Sequence, residues 1–297
     1  MKQLRGQDTV VDSSLMETSA HGTEGFPLAV YLDDFSYFKN DGICWHWHGE
    51  AQITYVTEGE FICHVGSDKL RLRPGDIIFI NSRALHQIIP TQRSSGKLYA
   101  YLWRPELLGR PGGDLYKNCI EPLITSPLRY AFFSTEHEQN RQIQTALRAI
   151  AKAMTDRLPF FEMHVCNQLA RIWLRICEQS SGGTAELILR EKDEEKVKLA
   201  MAYIQSHYAE KLSLEEIAKA ALTNRSELCR CFRRVLDLSP NEFILQYRLS
   251  RALSLLEDPE RRIADIAISC GLCSPSHFGS HFARHLGCTP LQYRKSI

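Results

Sequence analysis

Between about Phe26 and Leu107 the apolar positions fall in short β-branched and aromatic runs, "ITYVTEGEFICHVG", "KLRLRPGDIIFINSRALHQIIP" and "KLYAYLWRPELL", each cut by Gly, Pro, Asn or Asp. Closely spaced short strands of this kind predict an antiparallel barrel or sandwich over 26–110. Residues 1–25 show no period and read as an arm. Past residue 110 the spacing turns helical. Ile143, Ala146, Leu147, Ile150 and Met154 form one stripe, and Phe161, Val165, Leu169, Trp173 and Ile176 form a second. Two adjacent amphipathic helices are therefore expected within 111–180, each stripe buried against the barrel or a second subunit. "SSGGT", Ser180 to Thr184, opens a linker over 181–190, and 191–297 reads as helix throughout.

That last segment repeats itself. "IAKAALTNRSELCRCFRRVLDLSPNEF" from Ile217 aligns with "IAISCGLCSPSHFGSHFARHLGCTPLQY" from Ile266, about 49 residues on. In each copy an Ile-Ala pair leads to an aromatic, Phe232 or Phe282, then to Ser239-Pro240 or Thr289-Pro290, with an aromatic three beyond the Pro. Ser213 with Glu216 and Asn224 with Glu227 have capping-box spacing. Ser239, Ser274 and Thr289 each precede a Pro, which puts a hydroxyl at N-cap and Pro at N1. Gly271 falls where the turn needs a permissive backbone. This is helix-turn-helix grammar, twice. Between the copies "NEFILQYRLSRALSLLE" predicts a strut of about 25 Å, able to set two recognition helices in successive major grooves about 34 Å apart.

Composition adds little. Lys+Arg 36 against Asp+Glu 35 gives a net charge of +1 over 297 residues, so no overall basicity marks a nucleic-acid partner. No apolar run reaches the roughly 20 residues of a membrane span, and the first residues lack a signal peptide's apolar core, so a cytoplasmic protein without membrane contact is expected. The ten cysteines read mainly as small buried apolar residues. Cys229-x-Cys231 and Cys270-x2-Cys273 invite a zinc or redox reading, but Cys229 projects outward and Cys270 lies at a helix end, which disfavours a shared thiolate site.

The last hundred or so residues resemble the double helix-turn-helix domain of AraC/XylS-type transcription regulators, "IADIAISCGLCSPSHFGSHFARHLGCTPLQYR" carrying most of the likeness. The resemblance implies that the second helix of each copy reads bases in promoter DNA. In copy one Arg225, Ser226, Cys229 and Arg230 share the outward face, and Leu228 and Phe232 face the core. Arg230 is the leading base reader, since a guanidinium bonds guanine O6 and N7 bidentately. Arg233 and Arg234 suit phosphate. Copy two offers Ser276, Gly279 and Ser280, whose short side chains discriminate bases poorly, so copy one is expected to carry more specificity. Leu222 and Asp237 stand where the family often has Gly, and Leu222 suggests a slightly different turn angle.

The N-terminal strands resemble the same family's cupin-like sensor barrel. His46-x-His48-x3-Gln52-x6-Gly59 follows the first cupin motif with Gln52 for the usual Glu, and "GDIIFINSRALH" follows the second, ending at His86. A metallo-cupin likeness would make His46, His48, Gln52 and His86 ligands of Zn, Fe, Ni or Cu. Alternatively they line a metal-free polar pocket for a small hydroxylated or carboxylated effector, or simply pack. Tyr99, Tyr101 and Trp103 share a strand face and could stack on a sugar. The expected architecture is α+β: a cupin-like barrel with two dimerisation helices, then an all-α double helix-turn-helix domain. The family likeness implies a homodimeric activator of carbon-source genes, without catalysis or cofactor, that responds to a small effector such as a sugar and engages RNA polymerase. The rivals are a metal-dependent cupin enzyme or metal sensor fused to a DNA-binding module, and a regulator controlled by abundance or a protein partner.

Overall fold

A computed structural model describes residues 3–5, 11, 15–38, 42–92, 95–136, 138–157, 159–179, 186–272 and 274–296. Their contacts divide the chain into two units, principally Met16–Glu191 and Lys192–Ile297.

Among the described residues the first unit holds ten strands: β1 (Gln3–Arg5), β2 (Leu28–Asp34), β3 (Ile43–His46), β4 (Ala51–Glu58), β5 (Phe61–Val65), β6 (Asp68–Leu72), β7 (Ile77–Ile80), β8 (His86–Pro90), β9 (Lys97–Trp103) and β10 (Tyr130–Phe133). They form a six-stranded sheet, β1-β2-β9-β4-β7-β10, and a four-stranded sheet, β3-β8-β5-β6. Every pair is antiparallel except β1 with β2, where Gln3 stands beside Tyr31. Phe61, Cys63, Val65 and Leu72 from the smaller sheet meet Val56, Ile78, Ile80, Leu98, Ala100 and Leu102 from the larger in one core between the sheets.

The larger sheet is buried on both faces, which is why "AQITYV" in β4 is buried throughout rather than alternating. Its other face, carrying Ile53, Ile77, Phe79, Tyr101 and Trp103, packs on two helices, α2 (Glu138–Asp156) and α3 (Phe161–Gln179). The two predicted stripes thus bury against the barrel of their own chain. Trp173 of α3 anchors the layer: its ring meets Phe79 and Trp103 with centroids 6.1 and 6.3 Å away, and its Nε1–H donates to the Cys119 carbonyl at 2.8 Å. Burial of such a side chain is worth about 3 kcal/mol.

Several boundaries differ from the sequence reading. Part of the predicted arm is structured, since Gln3–Arg5 pairs with β2 and Glu17 donates its N–H to the Trp47 carbonyl at 2.8 Å. β10 lies inside the segment read as purely helical, beside a π-helical turn at Tyr116–Ile120 and the short α1 (Glu121–Ile124). Four residues were too few to show a period against the helical stripes around them. The predicted linker is overrun by α4 (Glu186–His207), while 181–185 fall outside the described residues.

The second unit continues with α5 (Leu214–Ala220), α6 (Arg225–Leu236), α7 (Pro240–Leu256), α8 (Ile263–Ser269), α9 (Pro275–Leu286) and α10 (Pro290–Ser296). The capping chemistry forms as predicted. Ser213 and Ser239 make full capping boxes with Glu216 and Glu242, Asn224 accepts from the Glu227 N–H, Ser274 from His277, and Thr289 from Gln292. Of the nine described cysteines only Cys63, Cys231 and Cys270 are buried, so the reading of the cysteines as core filler holds for those three alone; Cys273 lies outside the described residues. Burial pushes the Cys63 and Cys231 thiols up to about 12.

Candidate effector site and DNA interface

β3 and β8 are neighbours, and their register sets His46 directly opposite His86. His48 follows two residues after His46, and Gln52 leads into β4 on the face opposite Ile53. The structure brings all four together between the sheets, each at most 4% exposed. The imidazole centroids lie 4.1 Å (His46 to His86), 5.1 Å (His48 to His86) and 5.7 Å (His46 to His48) apart.

Each ring is held the same way. Nδ1 of His46, His48 and His86 lies 2.9, 3.0 and 2.9 Å from the carbonyls of Cys44, Glu50 and Ala84. A carbonyl can only accept, so in His46 and His86 the proton sits on Nδ1 and Nε2 carries the lone pair; in His48 both ring nitrogens face an acceptor, the Glu50 carbonyl at Nδ1 and the Gln52 Oε1 at Nε2. Gln52 Oε1 lies 2.9 Å from His48 Nε2, and the Gln52 amide N–H donates to the Thr54 hydroxyl at 3.0 Å. Burial pushes the His48 pKa below its ordinary value, against the opposing pull of Glu17, the Gln52 hydrogen bond and Glu50.

Two further groups reach this cluster from the segment before the barrel. Glu17, 5% exposed, sets a carboxylate oxygen 3.4 Å from His21 Nε2 and 4.0 Å from His46 Nε2. His21 Nδ1 in turn lies 3.0 Å from the Tyr31 hydroxyl. The sequence offered no local signal for either residue, because their contacts are with β2 and β3 and the segment itself has no period.

Tyr101 and Trp103 do not join the histidines. They project from β9 to the helix-covered face, at 1% and 0% exposure, and the Tyr101 hydroxyl donates to the Leu147 carbonyl at 3.1 Å. Their shared face follows from the strand period, but it is the face that α2 and α3 cover. A cavity of about 550 Å³ lies on that side, lined by Tyr55, Tyr99, Tyr101, Arg148 and Lys152 among others.

In the second unit both helix-turn-helix copies form. Leu228 and Phe232 are fully buried while Arg225, Ser226, Arg230, Arg233 and Arg234 are exposed and Cys229 half-buried, as the period of α6 requires. The arginines differ in their engagements. Among the described residues Arg230 pairs locally with Glu227, one turn back on its own helix. Arg233 reaches the Asp237 carbonyl at 2.9 Å and Glu242 at 3.2 Å. Arg234 is drawn inward to Asp193 of α4, at 2.9 Å, and to Glu227, at 3.4 Å.

On α9, Ser276 and Ser280 are exposed and Gly279 half-buried. The sequence reading passed over the other side chains of this helix. His277, Arg284 and His285 are exposed too, and the His277 and His281 rings stand 4.5 Å apart. Burial, then the neighbouring His277, Arg284 and His285, holds the His281 pKa below its ordinary value. Copy two is therefore better supplied with polar reach than its serines suggest.

The chain matches two family models: an AraC-like ligand binding domain over residues 35–164 and a helix-turn-helix domain over residues 217–296. The chain belongs to the AraC-type transcription regulators. Its relatives include YdeC, an HTH-type transcriptional regulator of Bacillus subtilis, 29% identical over 96% of this chain and 98% of that protein. The melibiose operon regulatory protein of Escherichia coli is 22% identical over 84% and 83%. Among solved structures, an AraC-type DNA-binding domain protein from Chromobacterium violaceum is 31% identical over 35% of this chain and 92% of that one, with a TM-score of 0.34. ToxT from Vibrio cholerae, with a bound unsaturated fatty acid, is 14% identical over 91% and 94%, with a TM-score of 0.43. An AraC-type regulator binds DNA through the helices of its second unit and carries an effector domain in its first. No described helix is long and apolar enough to cross a membrane.

Proposed function

We propose that this regulator is an activator governed by a small polar metabolite, of the sugar class, that binds at His46, His48, Gln52 and His86. The observation that carries the reading is the convergence of these buried polar groups beside a core made mainly of Phe, Ile, Leu and Val. Buried polar groups are costly unless matched, and clustering them at one end of a barrel is the arrangement a polar ligand uses. The relative named for a melibiose operon supports a sugar.

The active form is a homodimer that engages promoter DNA and RNA polymerase in the cytoplasm. Met163 and Leu174 of α3, 73% and 59% exposed, lie on its outward side, and Phe160, 74% exposed, stands just before the helix; apolar surface of this kind supports self-association there. Arg225, Ser226, Cys229 and Arg230 of α6 read bases, with Arg233 on phosphate. Ser276, Gly279 and Ser280 approach DNA from α9. Arg234 meets phosphate only by giving up Asp193.

The test is thermal unfolding of the full chain against a panel of sugars, polyols and hydroxy acids. A ligand at a hundred times its Kd should stabilise the chain by about 2.7 kcal/mol. The gain should disappear in Gln52→Ala and His86→Ala. A ligand whose effect survives both substitutions binds elsewhere and overturns the assignment.

A further inference from the structure

We infer that the cavity between the larger sheet and α2 is a second small-molecule site, for a phosphate ester with a hydroxylated body, of the sugar-phosphate class. It lies apart from the histidines. On β4 Gln52 faces the core between the sheets, while Tyr55 takes the opposite, helix-covered face together with Ile53. The register of β4 with β9 sets Tyr55 beside Tyr99, and Tyr101 follows on the same face. Arg148 and Lys152, one turn apart on α2, line the other side and are exposed, so a ligand reaches them directly from solvent. The volume of about 550 Å³ is that of a small-ligand site.

The lining offers donors that the protein itself leaves unmatched. Arg148 gives one N–H to the Tyr55 hydroxyl at 3.0 Å, and among the described residues it has no carboxylate partner. Tyr55 is 6% exposed and accepts from that guanidinium, while its own hydroxyl proton finds no acceptor among the described residues. A buried hydroxyl with a spare proton beside an uncompensated cation is complementary to an oxyanion. The Arg148 fork can take two oxygens of a phosphate, which leaves a third for the Tyr55 hydroxyl or for Lys152 as a point charge. Asp156 also lines the cavity and pairs with Lys152 at 2.7 Å. A carboxylate repels phosphate and accepts from hydroxyls, so Asp156 belongs at the ligand's hydroxylated end. The half-buried ring of Tyr99, 6.2 Å from that of Tyr101, gives the ligand's body an apolar wall. Occupancy would join β4 and β9 to α2 without touching the histidine cluster.

The test is calorimetric titration of the full chain with glucose 6-phosphate, with glucose, gluconate and inorganic phosphate as comparison arms. Glucose 6-phosphate should bind at one site per chain and more tightly than any of the other three. Arg148→Gln should weaken it at least about tenfold, the effect of a lost charged hydrogen bond, and Tyr55→Phe, which removes only the hydroxyl, by less. Unchanged melting of both variants, followed by tryptophan fluorescence, checks that they fold. Gln52→Ala and His86→Ala should leave this binding as it is, whereas they should abolish that of a metabolite held at the histidines, so the two readings fail separately. The inference is overturned if glucose 6-phosphate does not bind, if Arg148→Gln leaves its affinity unchanged, or if Arg230→Ala removes the binding and so places the phosphate on the DNA-binding unit. It is also overturned if gluconate or inorganic phosphate binds as tightly as the ester: the first would replace the phosphate by a carboxylate, and the second would reduce the site to a contact for any anion.

Discussion

Leu222 and Gly271 hold the same place in the two helix-turn-helix copies and adopt the same left-handed backbone, with φ of 53° and 71°. Each ends the first helix of its copy with the same pattern: Thr223 N–H to the Ala218 carbonyl and Leu272 N–H to the Ala267 carbonyl, both 2.9 Å. The turn angle therefore does not change at Leu222, contrary to what its bulk suggested; the backbone takes the strained conformation instead. Leu222 is 85% exposed and buries nothing in return. Left-handed backbone costs a non-glycine residue about 1–2 kcal/mol, and glycine's extra freedom when unfolded returns part of that. Leu222→Gly should stabilise the DNA-binding unit by about 1 kcal/mol in denaturant unfolding. Gly271→Ala should cost at least about 2 kcal/mol, because its Cβ would meet the carbonyls of Tyr208 and Ala209, the first already accepting from Arg248 Nε at 2.8 Å.

Arg234 should behave as a structural residue more than a DNA contact. Its guanidinium joins α6 to Asp193 of α4, a carboxylate whose side chain is only 7% exposed and which also accepts from the Cys231 thiol at 3.3 Å. Removing the arginine leaves a nearly buried charge short of its main partner. Because Arg234 itself is half exposed, the expected loss from Arg234→Ala is about 1–2 kcal/mol rather than that of a fully buried pair. Denaturant unfolding should detect it. If stability is unchanged while DNA affinity falls, the phosphate role is the dominant one.

This contrast marks what the sequence could and could not convey. The caps at Ser213, Asn224, Ser239, Ser274 and Thr289 act within three residues of their partners, so their spacing alone located the helices. The faces of β9 were equally legible, since Tyr101 and Trp103 must share one. What covers that face was not, because packing on α2 and α3 joins segments some fifty to seventy residues apart. Glu17 and His21 stayed invisible for the same reason: a carboxylate that meets a histidine on another strand leaves no periodicity behind. Arg234 looked like its neighbour Arg233 until α4 supplied Asp193.

His48 should make the first unit sensitive to mild acid. An unfolded histidine titrates near about 6.5, and burial holds the folded His48 pKa lower. Between those two values the unfolded chain binds a proton that the folded chain refuses. The stabilising contribution is thus complete above about pH 6.5 and is lost as pH falls toward the lowered folded value. All four tryptophans, Trp45, Trp47, Trp103 and Trp173, precede residue 192, so their fluorescence follows this unit alone. Melting followed by that signal should drop from about pH 7 to pH 5, with a shallower drop in His48→Gln. An identical slope in the variant would assign the sensitivity to other groups.

Arg230 is the arginine of α6 best placed to read bases. Its side chain is 63% exposed, and among the described residues its ion-pair partner is Glu227, on the same helix, so turning to DNA disrupts no described contact between helices. Arg230→Ala should leave stability nearly unchanged, cost about 1–3 kcal/mol of binding to the preferred site, and relax selection at one base position. Ser280→Ala should cost less, because a hydroxyl on α9 reaches phosphate more readily than it discriminates bases. Arg284→Ala should weaken binding across all sequences and lower the salt dependence by about one counterion. Selection from a randomised DNA pool with each variant measures all three effects. Equal losses of specificity for Arg230→Ala and Ser280→Ala would mean that the two copies share the reading evenly.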